Sequence, residues 1–507
     1  MHYDFDLIVI GGGPAGEKGA AQAAYFRHKV VVVEAWHELG GACINWGTLA
    51  SKTLRESALF LSGFRTRQLG EGLNVEFRAE VSLNSFMHRK NLVQRREQER
   101  AARNLSAPWH NIERLTGRGR ILDPHTVRVE CPDGTEKTLT GKVILVATGS
   151  VPARPRNVAF DHEGVFDATT VLEMKSLPRS MVVVGGGVIG SEYACLFNTL
   201  GVETTLVHPK PRPLDALLDG EIGEEFVARV RRDGIELVMN DGLPDARDEP
   251  HAVHADAGHV TTKLRSGRRL RSDAVLYALG RDGNTTGLGL AALGIPVNKY
   301  GLIARKSADA PDGFDPTTYR TNVPSIYVAG DVIGPPALAS TSMEQGRLAV
   351  CHAFGLAYKT EMASILPAGV YTIPEISQAG KTEEDCVRER IPYVVGRDRF
   401  GNHARGQIIG DTEGMIKLLF ESPSGKLLGV HVIGELATEL IHTGLACLSF
   451  HGGIDFFIHT VFNYPTLSDV YKYAAYDALG KLNTVRDGLK ATATQLSNEA
   501  MKSSKIA

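Results

Sequence analysis

Two copies of one glycine fingerprint limit most strongly what this chain can fold into. Gly11, Gly13 and Gly16 spell G-x-G-x-x-G directly after the apolar run 5–10. Gly185, Gly187 and Gly190 spell it again after 181–184, at an offset of 174 residues. The first glycine permits a tight strand-to-helix turn, the second lets the backbone approach a pyrophosphate, and the third lets helix and strand pack closely. The anion then sits at a helix N-terminus, where free N–H groups and the helix dipole favour negative charge. Each copy opens a helical stretch (17–25 and 191–200) and reaches a second β-branched strand (29–33 and 203–207). Both therefore predict a βαβ unit that binds a dinucleotide.

The residues that end those second strands differ. Glu34 lies 18 residues past Gly16, where an acid accepts hydrogen bonds from a ribose 2′-hydroxyl. The matching position, 18 past Gly190, is His208, with Lys210 and Arg212 behind it. The first site suits a ribose with free hydroxyls. The second tolerates a 2′-phosphate, hence NADP(H), without excluding NAD(H); read without a ligand, the three basic residues form a solvated loop. Val143–Gly149 and Ala274–Gly280 are apolar runs ending in glycine, the pattern of buried parallel strands with ligands beyond their carboxyl ends. The run 327–331 also ends in Gly-Asp, which places Asp331 to accept hydrogen bonds from a polyol.

At 507 residues the chain exceeds one core, and roughly 150 residues per domain suggests about three. A net charge of −2 on a mixed surface gives no sign of a nucleic-acid partner. No apolar run reaches the roughly 18 residues of a membrane span, and the first apolar stretch runs into the glycine turn as a strand does, so export is not expected. The six cysteines form no C-x-x-C pair, which argues against a zinc site or a disulfide framework and fits a reducing cytoplasm. No metal is expected.

These motifs, in this order, resemble the FAD-dependent pyridine nucleotide-disulfide oxidoreductases over roughly residues 4–480. The resemblance implies an α/β fold with two doubly wound Rossmann-like nucleotide-binding domains, for FAD and NAD(P), plus a C-terminal α+β dimerisation domain. The divisions are 1–152 and 285–360 for the split FAD domain, 153–284 for the NAD(P) domain, 361–482 for dimerisation and 483–507 as a flexible tail. By resemblance, Gly11, Gly13, Gly16, Glu34, Gly41, Ala42, Cys43, Lys52, Thr148, Gly149 and Asp331 would hold FAD. Gly185, Gly187, Gly190, Glu192, His208, Lys210, Arg212, Gly280 and Arg281 would hold the nicotinamide coenzyme. A homodimer or higher homo-oligomer is implied.

The departures from the family are informative. Its disulfide reductases carry C-x-x-x-x-C beside the flavin, whereas Gly40–Lys52 reads GGACINWGTLASK: Cys43 stands, but the second cysteine is Thr48. A hydroxyl cannot exchange a disulfide, because that chemistry needs a thiolate attacking sulfur. The family's C-terminal His-Pro-Thr is Tyr464-Pro465-Thr466, and a tyrosine, titrating near pH 10, is a poor proton shuttle at neutrality. Leu49-Ala50 replaces the usual Ile-Pro. The W-G-T segment (46–48), 462–466 and 369–376 resemble the family's transhydrogenase branch. That likeness implies ping-pong hydride transfer between NADPH and NAD+ through FAD. The alternatives are an NAD(P)H-dependent quinone or oxygen reductase and a flavin-bearing redox sensor.

Lys52 and Glu192 are the candidate catalytic residues; the resemblance implies that they pair near flavin N5, and the alternative is a structural ion pair between domains. Cys43 either packs inertly on the flavin or is reactive through a depressed pKa. The charged stretch 87–104 mixes arginines with Glu97 and Glu99 as a solvated helix does, Glu439 and His442 read as an ordinary surface pair, and the small polar residues from about 484 read as a mobile tail.

Overall fold

The structure is a computed structural model that describes residues 2–62, 83–106, 111–256 and 258–503. The β-branched runs become central parallel strands because they can be buried on both faces. Val30–Glu34 pairs with Phe5–Ile10, which pairs with Glu136–Val146; Ile112–Thr116 and Ile326–Val328 flank them in parallel. Glu136–Val146 also pairs antiparallel with Thr126–Glu130 through its first half. Residues 5–146 and 326–328 thus share one sheet although the second glycine unit lies between them in sequence. Helix Pro14–Tyr25 covers this sheet and starts with proline at its first turn, where no N–H partner is lost.

The second unit repeats the arrangement. Its sheet runs Glu236–Met239, Glu203–His208, Ser180–Val184, Ala274–Tyr277, Val165–Asp167, parallel throughout, with helix Val188–Thr199 after the glycine turn. A short antiparallel pair, Ser150–Pro152 with Arg281–Gly283, lies where the chain passes between the units.

The C-terminal unit is a five-stranded antiparallel sheet of Ala368–Val370, Ile376–Gly380, Leu427–Ile433, Met415–Glu421 and Tyr393–Arg399. Helix Val470–Ser503 packs on Tyr393–Arg399 so closely that a Cβ at Gly396 would lie 2.0 Å from the Ala474 carbonyl oxygen. Two α/β units and a separate C-terminal unit are the fold class expected from sequence.

Two expectations are modified. Where a flexible tail was expected from residue 483, the helix continues through Ser503. Its Ala, Lys, Leu and Gln are strong helix formers, and Arg486 donates to the carbonyls of Pro423 and Ser424. Helix Leu83–Leu105 exposes Arg89, Arg95, Arg96 and Glu99 as expected, but Phe86, Lys90, Ala101 and Leu105 form a buried face. No helix among the described residues is long and apolar enough to cross a membrane.

Candidate active site

The first glycine turn is built by close backbone approach. Gly11 sits at φ +106°, and a Cβ at Gly16 would lie 1.9 Å from the Gly11 carbonyl oxygen, so neither position admits a side chain without rebuilding the turn. The loop amide of Gly12 donates to Glu34 Oε2 at 2.6 Å, and Trp36 N–H donates to Oε1 at 3.1 Å. Burial nevertheless pushes the Glu34 carboxyl up. Around the carboxyl ends of this sheet stand Thr148, Gly149 and Asp331. The Thr148 hydroxyl is buried and has no hydrogen-bond partner, a group that a polar ligand would satisfy. Gly149, at φ +69°, faces open space. Asp331 accepts from the Ser150 hydroxyl at 3.0 Å. The glycine turn, the acid, the orphan hydroxyl and the open glycine fit an adenine dinucleotide with an extended polyol, as FAD has.

Residues 40–52 converge on that turn. A Cβ at Gly41 would lie 2.9 Å from Gly13 Cα, which places the Cys43 segment against the glycine loop. Cys43 is half-buried and its thiol is hydrogen-bonded to Thr48. Burial pushes the thiol up and outweighs the opposing pull of Thr48 and Lys52, with smaller upward contributions from the Asp331 and Glu17 carboxylates. A protonated thiol beside a hydroxyl has neither the thiolate nor the second sulfur that dithiol chemistry needs. All six cysteines are free. Tyr464, in the C-terminal motif, is 71% exposed.

Lys52 and Glu192 meet as expected, from helix Thr48–Ser62 and from helix Val188–Thr199. Lys52 Nζ donates to both carboxylate oxygens, at 2.8 and 2.7 Å. Glu192 is only 6% exposed. Sequence reasoning missed the third member: Tyr371 N–H donates to Glu192 Oε1 at 2.9 Å, and its ring lies under Lys52 Nζ, 5.0 Å from the centroid. No periodicity could have shown this contact, because Tyr371 comes from the C-terminal unit. Three hydrogen bonds from two donors fix this buried carboxylate in place, and removing the Lys52 cation would leave it buried without its partner.

The second glycine turn repeats the first. Gly185 is at φ +119°, and a Cβ at Gly190 would lie 1.7 Å from the Gly185 carbonyl oxygen. Gly187 and Gly280 face open space. His208 takes the place of Glu34 in the loop contact, its Nδ1 accepting from Gly186 N–H at 3.0 Å. Burial pushes this imidazole down, so it stays neutral at physiological pH.

Two expected coenzyme residues make hydrogen bonds within the protein. Arg212 donates to Asp215 at 3.1 Å and to the Gly220 carbonyl at 2.9 Å, and it also pairs with Glu224, so its guanidinium is engaged within the loop. Lys210 is the exposed cation that remains. Arg281 donates to the Ser150 hydroxyl at 2.8 Å and the Ser150 carbonyl at 2.7 Å. The antiparallel pairing of 150–152 with 281–283 turns it toward the Ser150–Asp331 contact of the first unit. Glu439 and His442 are both exposed, and the three-carboxylate grouping found among the described residues, Asp219, Glu221 and Glu383, encloses the Lys417 ammonium.

Comparison with known proteins agrees with this geometry. A soluble pyridine nucleotide transhydrogenase of Mycobacterium bovis is 40% identical over 484 residues, covering 95% of this chain and 98% of the relative. One from Colwellia psychrerythraea is 36% identical over 486 residues, covering 95% and 99%. Among solved structures, LpdA of Mycobacterium tuberculosis superposes with a TM-score of 0.82 at 25% identity, covering 93% of this chain and 99% of that one. The HOCl-induced flavoprotein disulfide reductase RclA of Escherichia coli superposes at 0.79 with 23% identity, covering 92% and 99%, a likeness of fold. The family description "Pyridine nucleotide-disulphide oxidoreductase" matches residues 5–346, and its dimerisation domain matches 366–475. With two nucleotide-binding turns, a flavin-shaped first site and matches over nine-tenths of its length, the chain belongs to the FAD-dependent pyridine nucleotide-disulphide oxidoreductases.

Proposed function

We propose that this chain transfers hydride between NADPH and NAD+ by a ping-pong route, with one nicotinamide site serving both coenzymes in turn. The observation that carries this reading is Thr48: the Cys43 thiol is hydrogen-bonded to a hydroxyl, and burial keeps it protonated. With no dithiol to receive electrons, a second nicotinamide coenzyme is the acceptor that the two-turn architecture already binds. The curated relatives at 36–40% identity carry the transhydrogenase name, which supports the same assignment.

FAD, when bound, supplies a two-electron centre that can accept hydride and return it. The residues do the rest. The first glycine turn would present its N–H groups to the pyrophosphate, Glu34 would accept from the ribose, Thr148 and Asp331 would take polyol hydroxyls, and Gly41, Ala42 and Cys43 would line the ring system. Lys52, oriented by Glu192, which the Tyr371 amide holds in turn, would place its ammonium beside the reacting centre. The second turn, with His208 and Lys210, holds the adenosine end of the coenzyme. No residue has to move a proton, because hydride transfer requires none. We assign 1–152 and 285–360 to the FAD domain, 153–284 to the coenzyme domain and 361–482 to a dimer-forming unit in a cytoplasmic enzyme.

The test is steady-state reduction of thio-NAD+ by NADPH with FAD-loaded protein, alongside lipoamide and menadione. Rapid thio-NAD+ reduction with parallel double-reciprocal lines and no lipoamide turnover is the expected result. Fast menadione reduction with negligible thio-NAD+ turnover would overturn the assignment in favour of a quinone reductase.

A further inference from the structure

A site that must admit NADP(H) and NAD(H) in alternation cannot use the usual discriminators. An acid at the ribose repels a 2′-phosphate, and a full basic clamp discards the coenzyme without one. The structure offers neither. The acid's position is taken by His208, and of the two cations behind it, Arg212 is committed to Asp215, Glu224 and the Gly220 carbonyl.

The state of His208 follows from its contact with the loop. Gly186 N–H can only donate, so Nδ1, at 3.0 Å, must be the unprotonated nitrogen. In the neutral ring the proton then resides on Nε2, which makes no hydrogen bond among the described residues. That hydrogen bond fixes the ring's orientation, and only a glycine admits the ring so near the loop: a Cβ at Gly186 would lie 2.9 Å from His208 Cγ and 3.1 Å from Pro213 Cβ. The charged neighbours are Lys210, which disfavours a second proton on the ring, and Asp215, which favours one but is engaged by Arg212. The outcome is a fixed, uncharged N–H donor at the position where the first unit has a carboxylate. Glu34 offers only acceptors and therefore demands a ribose hydroxyl that donates. An N–H donor is indifferent: the oxygen of a 2′-hydroxyl accepts from it, and so does a phosphate oxygen.

We propose that His208, locked by Gly186 as the Nε2–H tautomer, sets the coenzyme breadth of the second site, donating to a 2′-hydroxyl or a 2′-phosphate, while exposed Lys210 adds the preference for phosphate. The proposal rests on the hydride-exchange reading for its purpose but not for its test, which is a binding measurement. The flavin-loaded protein is titrated with NADP+ and with NAD+ by calorimetry, without turnover. His208→Glu places an acceptor-only, charged group on the Gly186 amide and should weaken NADP+ about 100-fold while leaving NAD+ within about threefold, because like charges brought together cost several kcal/mol. His208→Asn can accept from Gly186 through Oδ1 and still donate through Nδ2, so it should hold both coenzymes within about threefold of the parent. Lys210→Ala should weaken NADP+ about tenfold and spare NAD+, the loss expected of one charge-assisted hydrogen bond.

The steady-state counterpart is a KM for NADPH that rises in His208→Glu while kcat at saturation holds. Equal losses for both coenzymes in His208→Glu, or a His208→Asn that discriminates as the glutamate does, would overturn the proposal. His208→Asn and Lys210→Ala keep the question open to decision if the glutamate variant does not fold. Should the parent bind both coenzymes with these ratios and yet fail to reduce thio-NAD+, the functional reading falls and this inference stands. Unchanged ratios in a protein that does turn over would sink the inference alone.

Discussion

In the first glycine unit the loop amide of Gly12 meets a carboxylate, Glu34; in the second, 174 residues on, the amide of Gly186 meets an imidazole, His208. The backbone beneath is the same: Gly11 and Gly185 both receive the preceding turn at positive φ, and their N–H groups donate to Val33 and Val207, each at 2.8 Å. What surrounds the two turns is different. The first is enclosed, with Gly41 against Gly13 and the Arg281–Ser150–Asp331 chain behind the sheet. The second is more open at the middle glycine: nothing lies within 4 Å of a Cβ at Gly187, whereas one at Gly13 would meet Gly41 Cα at 3.7 Å. One turn geometry therefore stands in two different surroundings, with a different side chain on the loop amide in each.

The largest effect should come from filling the turns. Gly16→Ala forces a methyl to within 1.9 Å of a carbonyl oxygen, so the purified variant should carry almost no flavin, read as flavin absorbance per protein. Gly190→Ala, with its 1.7 Å clash, should keep its flavin and lose coenzyme binding by about 100-fold or more. If Gly190→Ala also lost flavin, the two turns would not be separable and the comparison would break.

A smaller effect is expected where the units touch. Glu192→Gln keeps the shape but removes the charge that orients Lys52 and accepts from Tyr371. The rate of flavin reduction by NADPH, in stopped flow, should fall about tenfold to 100-fold, with coenzyme affinity within about threefold, as for a group whose charge acts in the reacting step. An unchanged rate would reduce the pair to a structural bridge between domains.

How legible all this was depends on the range of the signal. Glycine spacing and β-branched runs are local, so both units, their turns and the place of Glu34 could be read directly. The Gly186–His208 contact was within reach as well, since adding 174 to Gly12 and Glu34 gives both residues. Lys52 and Glu192, 140 positions apart, came only from resemblance. The positions of Arg281 and Arg212 could not be read, because each depends on a strand pairing or a carbonyl elsewhere in the fold. Invisible for the same reason was the buried Lys417 ammonium, which joins Asp219 of the second unit to the C-terminal sheet at 2.6 Å. Charged residues at such spacing look like surface until the packing encloses them.

The smallest effect tests the Glu34–His208 contrast in the protein without its nucleotides. Burial raises the Glu34 carboxyl above its ordinary 4.5, so the folded state binds that proton more tightly than the unfolded chain. The contribution is stabilising below 4.5 and is lost as pH rises through the folded value. His208 is lowered from 6.5, so the unfolded chain binds its proton more tightly, and stability present above 6.5 is lost as pH falls below it. The two loop acceptors thus tilt stability in opposite directions. Thermal unfolding of the apoprotein between about pH 7 and pH 5 should show His208→Asn losing less stability on acidification than the parent. Between about pH 4 and pH 7, Glu34→Gln should gain on the parent as pH rises. Curves that run parallel to the parent in both variants would mean that neither acceptor is desolvated by its glycine loop. The tautomer of His208 would then rest on the Gly186 hydrogen bond alone, without the burial that keeps the ring neutral.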